Sequence, residues 1–395
     1  MSRNRAAVVS AARTAIGAFG GALGECSAPF LGSVAIREAL RRAGVGGEQV
    51  DEVIMGNVYQ AGNGPNPARV AAVKAELPYS VPAMTINKVC GSGLKTINLA
   101  AQAIALGDAD CIVAGGMESM SRAPYLLPEA RWGARMGHAK LVDVMLRDGL
   151  WDCFVDCHMG NTAETLAGRY DVERAEQDRY ALRSQQRYQA AVEEDRFGRE
   201  IVAVPVAPRK GPAVEFRSDE SPRPDASLEA LAGLRPAFEP EGTVTAGNAS
   251  KLSDGGAAVL VMSERRAAAS GLQPLAWVSG CATAGVDPAV MGIGPAFAIR
   301  KLLAATGLTL ADVDLLEVNE AFAGQVLAVG RELDWDESRV NVNGGAIAMG
   351  HPLGASGTRI AVTLLHEMQR RAARRGIAAL CIGGGMGIAL LVERD

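Results

Sequence analysis

Apolar runs of strand length alternate with stretches of helical periodicity along most of this chain, and that alternation leaves few folds open. Between residue 6 and about residue 120, residues 6–10, 53–60 and 111–115 read as strands, with residues 31–43, 67–75 and 94–106 as helices. A strand buries one or both faces and a helix buries a stripe, so this order predicts a layered α/β domain. Residues 121 to about 245 break the pattern. Seven of the 18 prolines fall between Pro205 and Pro240, charges are dense, and the helix expected over 175–194 is exposed in character. This stretch predicts an inserted, loop-rich subdomain of the kind that carries specificity. After Thr245 the alternation resumes, with strands at 257–262, 276–284, 315–318, 377–382 and 388–392 and helices at 296–305, 321–330 and 358–375.

A faint repeat runs through the alternation. Ser92-Gly93, a helix and then Cys111-Ile112-Val113-Ala114-Gly115-Gly116-Met117 match Ser356-Gly357, a helix and then Cys381-Ile382-Gly383-Gly384-Gly385-Met386. Two matches in the same order suggest duplicated halves, each with a functional turn at an equivalent place. At 395 residues the chain exceeds the size at which one core stops growing, so two or three domains are expected.

Charge and cysteine usage narrow the function classes. A net charge of −4 gives no electrostatic footprint for nucleic acid. The longest apolar runs, such as 377–382, fall far short of a membrane span. Seven scattered cysteines predict free thiols in a reducing compartment, and hence a cytoplasmic protein. The Arg-rich start (Arg3, Arg5, Arg13) superficially suits a transit peptide, but a strand beginning at Ala6 leaves no spare leader. The final Glu393-Arg394-Asp395 matches no common peroxisomal or reticulum address.

Three glycine-rich turns carry the candidate chemistry. Cys90 stands between a β-like run (81–89) and the helix at 94–106, where free backbone N–H groups of a helix N-terminus would lower its pKa. Gly91-Ser92-Gly93 after it removes side chains that would block an approaching substrate. Cys381 runs into Gly383-Gly384-Gly385, whose N–H groups can face a cavity. His351, in the glycine-rich loop 343–357, is the candidate base for a thiol. Asn319, after the 315–318 strand, can orient a water or donate to an oxyanion; its bland alternative is a helix cap. His138 and His366 default to solvation or packing, and the remaining cysteines to small buried hydrophobes. Cys153, Cys157 and His158 lack a second ligand cluster, so no metal is expected. No dinucleotide or P-loop glycine motif follows a strand, which disfavours nicotinamide and nucleotide chemistry.

As a set, seven stretches in order resemble the thiolase family along essentially the whole chain. They are Val9-Ser10-Ala11-Ala12-Arg13-Thr14, Asn87-Lys88-Val89-Cys90-Gly91-Ser92-Gly93, Gly115 to Ser121, Thr243 to Ser250, Val318-Asn319-Glu320-Ala321-Phe322, Asn341 to Gly357 and Cys381 to Gly387. The resemblance implies a thiolase-like α/β fold of two similar layered halves, usually assembled as a homotetramer, a dimer of dimers. The first half would span 1–120 and be completed by 251–272, with the loop domain at 121–250 and the second half at 273–395. It further implies that Cys90 is acylated, that His351 activates it, and that Cys381 exchanges a proton with the substrate α-carbon. Asn319 would hold a water that, with His351, meets the enolate oxygen, and the backbone N–H groups of Cys90 and Gly383 would polarise the thioester carbonyl. His158 and Met159 resemble the acyl pocket of short-chain members. Phe238, Ala246, Ser250, Met291 and Phe322 fall where the family lines its pantetheine and acyl sites, and Arg223 at the adenine end of coenzyme A.

The activity so implied is ping-pong condensation of two acetyl-CoA molecules to acetoacetyl-CoA and CoA, or the reverse thiolysis, with coenzyme A thioesters as substrates and no cofactor. A 3-ketoacyl-CoA thiolase of broader chain length is the alternative. A decarboxylating ketoacyl synthase would normally carry histidine in place of Cys381. Two departures from the family pattern stand out: Ala15 where proline is common, and Lys251-Leu252-Ser253-Asp254 in place of the commoner Gly-Ile-Asn-Asp.

Overall fold

The computed structural model describes residues 4–207, 212 and 214–395; Arg3 of the N-terminal stretch and Pro208 of the proline-rich stretch lie outside them. Nine principal strands form one continuous sheet: β1 (Ala6–Thr14), β2 (Glu52–Gly56), β3 (Ala83–Ile86), β4 (Cys111–Ser119), β5 (Ser253–Ser263), β6 (Ala276–Gly285), β7 (Leu315–Val318), β8 (Arg375–Ile382) and β9 (Met386–Glu393). Their order is β7-β8-β9-β6-β1-β5-β4-β2-β3. The seam between halves is narrow, just Ala7 opposite Trp277 and Val8 opposite Ala276. On either side the topology repeats. β1-β5-β4 and β6-β9-β8 are antiparallel runs, each extended outward by a parallel strand, β2 or β7.

The helices that matter for the site are α1 (Ala28–Ala43), α2 (Pro67–Lys74), α3 (Ser92–Leu106), α4 (Met159–Arg169), α5 (Arg174–Glu193), α6 (Gly294–Thr306), α7 (Ala323–Leu333) and α8 (Leu353–Arg371). Strand alternation assigns the layers. In β5, Ala257, Val259 and Val261 face a central core with Ile97 of α3 and Ile360 of α8, while Ala258, Leu260 and Met262 face an outer core with Ile36 of α1 and Ala71 of α2. In β9, Ile388, Leu390 and Val392 join the central core, and Ala389 and Leu391 face α6. Each large apolar side chain so buried contributes about 1.5–3 kcal/mol. α3 and α8 therefore fill the layer between the two half-sheets.

Glycines set how closely that layer packs. A Cβ on Gly357 of α8 would stand 2.2 Å from the Leu94 backbone nitrogen of α3, and one on Gly93 would stand 2.7 Å from the Thr358 nitrogen. Thr358 Oγ1 donates across this contact to the Gly93 carbonyl at 2.9 Å. The repeated Ser-Gly pairs thus meet at the molecular centre. The cysteines of the same repeat do not correspond in space, since Cys111 opens β4 whereas Cys381 lies near the end of β8.

Several sequence expectations shift. The strand expected to reach residue 60 stops at Gly56, because the buried Glu118 carboxylate draws in the next residues, accepting from Asn57 Nδ2 (2.7 Å), Val58 N (3.0 Å) and Tyr59 N (3.2 Å). The loop 343–357 contains a helical turn, Ala346–Met349, and the first residues of α8, which ends at Arg371 where Ala372 turns left-handed. α5 is not exposed in character: Tyr180, Ser184 and Tyr188 are buried, and the first two donate to Glu320 at 2.9 and 2.7 Å. Arg13 of β1 is fully buried and paired with Glu200 (2.5 Å) and Asp219 (2.7 Å), so residues from the 121–252 connection neutralise a charge in the first strand. Pro288–Thr306 is helical, long and apolar enough to cross a membrane by length and composition, which the separate apolar runs do not suggest; Ile299, Leu302 and Leu303 in it are buried against the sheet.

The glycine contact makes a paired prediction. Gly357→Ala should destabilise by about 3 kcal/mol or more, since backbone cannot step aside as a flexible side chain can. Gly168→Ala, in α4 with open space around the new Cβ, should be neutral or stabilising by about 0.5–1 kcal/mol. Thermal unfolding of both variants checks this; equal melting shifts would remove the packing argument.

Candidate active site

The Cys90 turn is built under strain. Val89 has φ 46°, a left-handed conformation unfavourable for a β-branched residue, and the surrounding hydrogen bonds over-determine it. Val89 N donates to Asn87 Oδ1 (2.8 Å), Ser92 Oγ donates to the Val89 carbonyl (2.7 Å), and Ser92 Oγ accepts from Lys88 N (2.8 Å). The turn lifts Cys90 just ahead of α3, whose cap is Gly91. A Cβ on Gly91 would stand 2.4 Å from the end of the Ile382 side chain, so the Cys90 turn lies close against the end of β8 and a larger residue would require Ile382 to shift.

There Cys90 meets the Cys381 strand. The backbone N–H groups of Gly383 and of Cys90 itself are near enough to the Cys90 sulfur to favour its charged form. Cys381 is 1% exposed, and burial first, then the charge Cys90 would carry, pushes its thiol well above the ordinary range. The expected lowering of the Cys90 pKa does not occur in the resting protein. Burial pushes it up to about 11, outweighing the two N–H groups that pull it down. Cys90 therefore rests as a thiol and needs a base.

His351 is neutral at rest. Burial, followed by the positive charge of Arg359, lowers its pKa to about 3. Its Nδ1 lies 2.5 Å from Ser356 Oγ, and Ser356 Oγ donates to the Pro352 carbonyl at 2.9 Å. Asn319 Nδ2 approaches the ring at 3.4–3.5 Å, and Asn319 Oδ1 is buried with no protein partner. Asn319 does not cap α7, whose cap position is Phe322. Leu353, two residues beyond His351, packs in the cluster that Cys90 touches.

One apolar cluster holds Met159, Ala249, Met291, Ala321, Phe322 and Cys381, with Phe238 against it. Phe238 stacks on His158 at 4.6 Å and meets Phe322 edge-on at 6.3 Å. His158 also caps α4, its Nδ1 accepting from Gly160 N at 3.0 Å. The Met159 methyl would stand 2.8 Å from a Cβ on Gly383, so this cluster reaches the Gly383 backbone as well. Ser250 is half-buried, its N donating to the Ala321 carbonyl. Ala246 and Arg223 are exposed and lie outside the apolar cluster.

Sequence reasoning missed Ser356, Ala249 and Glu118. Ser356 lies five residues after His351, on the first turns of the following helix, which a glycine-rich loop hid. Glu118 also receives Gly354 N at 2.8 Å, tying β4 to α8 just behind His351. Of the cysteines read as buried packing, Cys153 is exposed, and Cys26, Cys157 and Cys281 are half-buried; all seven are unpaired. Among the described residues no group of three His, Cys, Asp or Glu could hold a metal ion.

Two thiols and a neutral imidazole on glycine-rich turns of a layered α/β fold suit an acyltransferase. Residues 6–265 match the thiolase N-terminal domain and residues 272–394 the thiolase C-terminal domain. The chain belongs to the thiolase family. It is 60% identical over 388 residues to an acetyl-CoA acetyltransferase of Pseudomonas aeruginosa, covering 98% of this chain and 99% of that one. Its fold is similar to that of the Bacillus anthracis acetyl-CoA acetyltransferase, with TM-score 0.97 and 47% identity over 99% of both chains. It is also similar to human mitochondrial 3-ketoacyl-CoA thiolase in complex with CoA, with TM-score 0.95 and 44% identity over 99% and 98% of the two chains.

The buried imidazole makes stability depend on pH with a defined sign. Between pH 6.5 and about 3 an unfolded chain protonates this histidine and the folded one does not, so its contribution to stability falls as pH falls. Relative to His351→Asn, the wild type should lose about 1–2 kcal/mol between pH 7 and pH 5. Denaturant unfolding at both pH values measures it, and a constant difference would place the His351 pKa at its ordinary value.

Proposed function

We propose that the chain is an acetyl-CoA C-acetyltransferase that condenses two acetyl-CoA molecules to acetoacetyl-CoA and CoA, and runs the reverse thiolysis. The observation that carries this reading is the shared position of the two thiols, Cys90 beneath the Gly383 N–H and Cys381 in a small apolar cluster closed by Met159, Phe238, Met291 and Phe322. In the first half-reaction the neutral His351 takes the Cys90 proton as the sulfur adds to the thioester carbonyl. The oxyanion is met by the N–H groups of Cys90 and Gly383, and the CoA thiolate leaves with the proton from His351.

In the second half-reaction Cys381 removes an α-proton from the incoming acetyl-CoA. Its own thiol proton passes first to the neutral His351, and a thiolate whose pKa burial has raised is a strong base. The enolate oxygen is held by His351 and by a water on Asn319, whose buried Oδ1 is free to accept. The enolate carbon then attacks the acetyl carbonyl, the C–S bond to Cys90 breaks, the Cys90 thiolate takes a proton back from His351, and acetoacetyl-CoA is released.

Residues 121–250 serve in this reading as the unit that supplies acyl and coenzyme A specificity, through His158, Met159, Arg223, Phe238, Ala246 and Ser250. A homotetramer and a cytoplasmic location belong to the same proposal. Exposed Leu126, Trp132, Met136 and Leu141 support the first as side chains suited to an interface, and seven unpaired cysteines support the second.

Chain length tests the substrate assignment. The stack of His158 on Phe238, with Met159 beside Gly383, leaves each added methylene to displace packed side chains at about 1–3 kcal/mol, roughly 10- to 100-fold in rate. kcat/KM for thiolysis should therefore fall from the four- to the six- to the ten-carbon 3-ketoacyl-CoA. A maximum at ten carbons would favour the broader 3-ketoacyl-CoA thiolase instead.

A further inference from the structure

Three consecutive glycines make 383–385 the loosest backbone around Cys90, and a loose turn presents its N–H groups in no fixed direction. Ties on both sides restrain it. The β8 ladder holds Ile382 opposite Met386, and the Gly385 carbonyl accepts from Val286 N at 2.8 Å. Gly384 and Gly385 are both left-handed, at φ 81° and 82°. A third tie comes from a side chain: Gly384 N donates to Asp152 Oδ2 at 3.2 Å. Asp152 is 1% exposed. Its other oxygen, Oδ1, accepts from Phe154 N (2.9 Å) and Val155 N (3.3 Å) and so closes the tip of a hairpin that pairs Trp151 with His158 and Asp152 with Cys157. The Phe154 ring follows the same turn, since a Cβ on Gly384 would stand 3.5 Å from Phe154 Cε2.

The hairpin alone does not need a charge. A turn of this kind takes one acceptor oxygen, which asparagine or serine also supplies. A buried carboxylate is costlier than either, and near a site where negative charge develops it opposes that charge unless donors take up its oxygens. The use left for the second oxygen is the charge-assisted bond to Gly384. That bond fixes the plane of the Gly383–Gly384 peptide, while the β8 ladder fixes Ile382, the residue before Gly383. Gly383 is therefore held from both sides, and with it the direction of its N–H. We propose that Asp152 is a positioning residue, which aims the Gly383 N–H at the thioester oxygen and joins that turn to the hairpin carrying His158. This rests on the proposed part of the Gly383 N–H in acyl transfer.

Asp152→Asn separates the two oxygens. Its amide oxygen can stay on Phe154 N and Val155 N, and its amide nitrogen then faces Gly384 N, donor against donor. Asp152→Ser closes the same turn and is too short to reach Gly384. In both variants single-turnover acetylation of Cys90 at saturating acetyl-CoA should slow by about tenfold or more, with half-saturation changed less than about threefold, because an oxyanion donor acts in the transition state. The isotope-edited infrared carbonyl band of the acetyl group on Cys90 should move to higher frequency as polarisation by the N–H weakens, a shift that a merely structural role would not produce. Asp156→Asn removes the same charge from the exposed tip of the hairpin and should leave rate and band at wild-type values. Wild-type rate and band in either Asp152 variant, or the same losses in Asp156→Asn, would overturn the positioning role, as would a wild type that takes no acetyl on Cys90. A wild type that forms the acetyl-enzyme but yields no acetoacetyl-CoA would sink the acetyltransferase reading alone.

Discussion

The close approach of α3 and α8 through Gly93 and Gly357 is the contact on which the site depends. Each helix starts just after a candidate catalytic residue, Cys90 before one and His351 before the other. Holding the helices at backbone distance brings those two turns to the same end of the central layer. Any side chain at Gly357 would have to occupy the space of the Leu94 nitrogen. Gly116 repeats the constraint from the sheet, since a Cβ there would stand 2.0 Å from the Gly354 carbonyl. Glu118 then fixes the Gly354 N–H and the turn after β2 with a single buried carboxylate. Burial pushes that carboxyl up to about 7 although its backbone hydrogen bonds pull it down.

Electrostatics inside this layer favour neutral partners at rest. Both thiols are raised and the imidazole is lowered, each chiefly by burial. An ion pair between thiolate and imidazolium would carry its own desolvation cost. In the proposed cycle a neutral pair postpones charge until substrate arrives.

Much of this was legible in the sequence because the chemistry sits on turns with strict backbone demands. Gly91, Gly383 and Gly384 announce themselves as glycines, and Cys90, His351 and Cys381 are rare residue types in glycine-rich settings. The alternation of runs located the strands to within a few residues. What the sequence concealed came from tertiary burial. The helix N-terminus argued for a lowered Cys90 pKa, yet desolvation outweighs it. α5 looked exposed because its polar residues are numerous, whereas Tyr180 and Ser184 are buried as partners of Glu320. Ser356 was hidden because the loop 343–357 contains the start of α8.

The central claim is that the two thiols have separate duties, and it is tested by mixing acetyl-CoA with wild type and with Cys381→Ala in deuterated water. Peptide mass mapping should find acetyl on Cys90 in both proteins. Exchange of deuterium into the acetyl α-carbon should fall by about 100-fold or more in the variant, the scale of a lost proton-transfer group. Acetyl on another cysteine, or exchange in Cys381→Ala at the wild-type rate, would contradict the account.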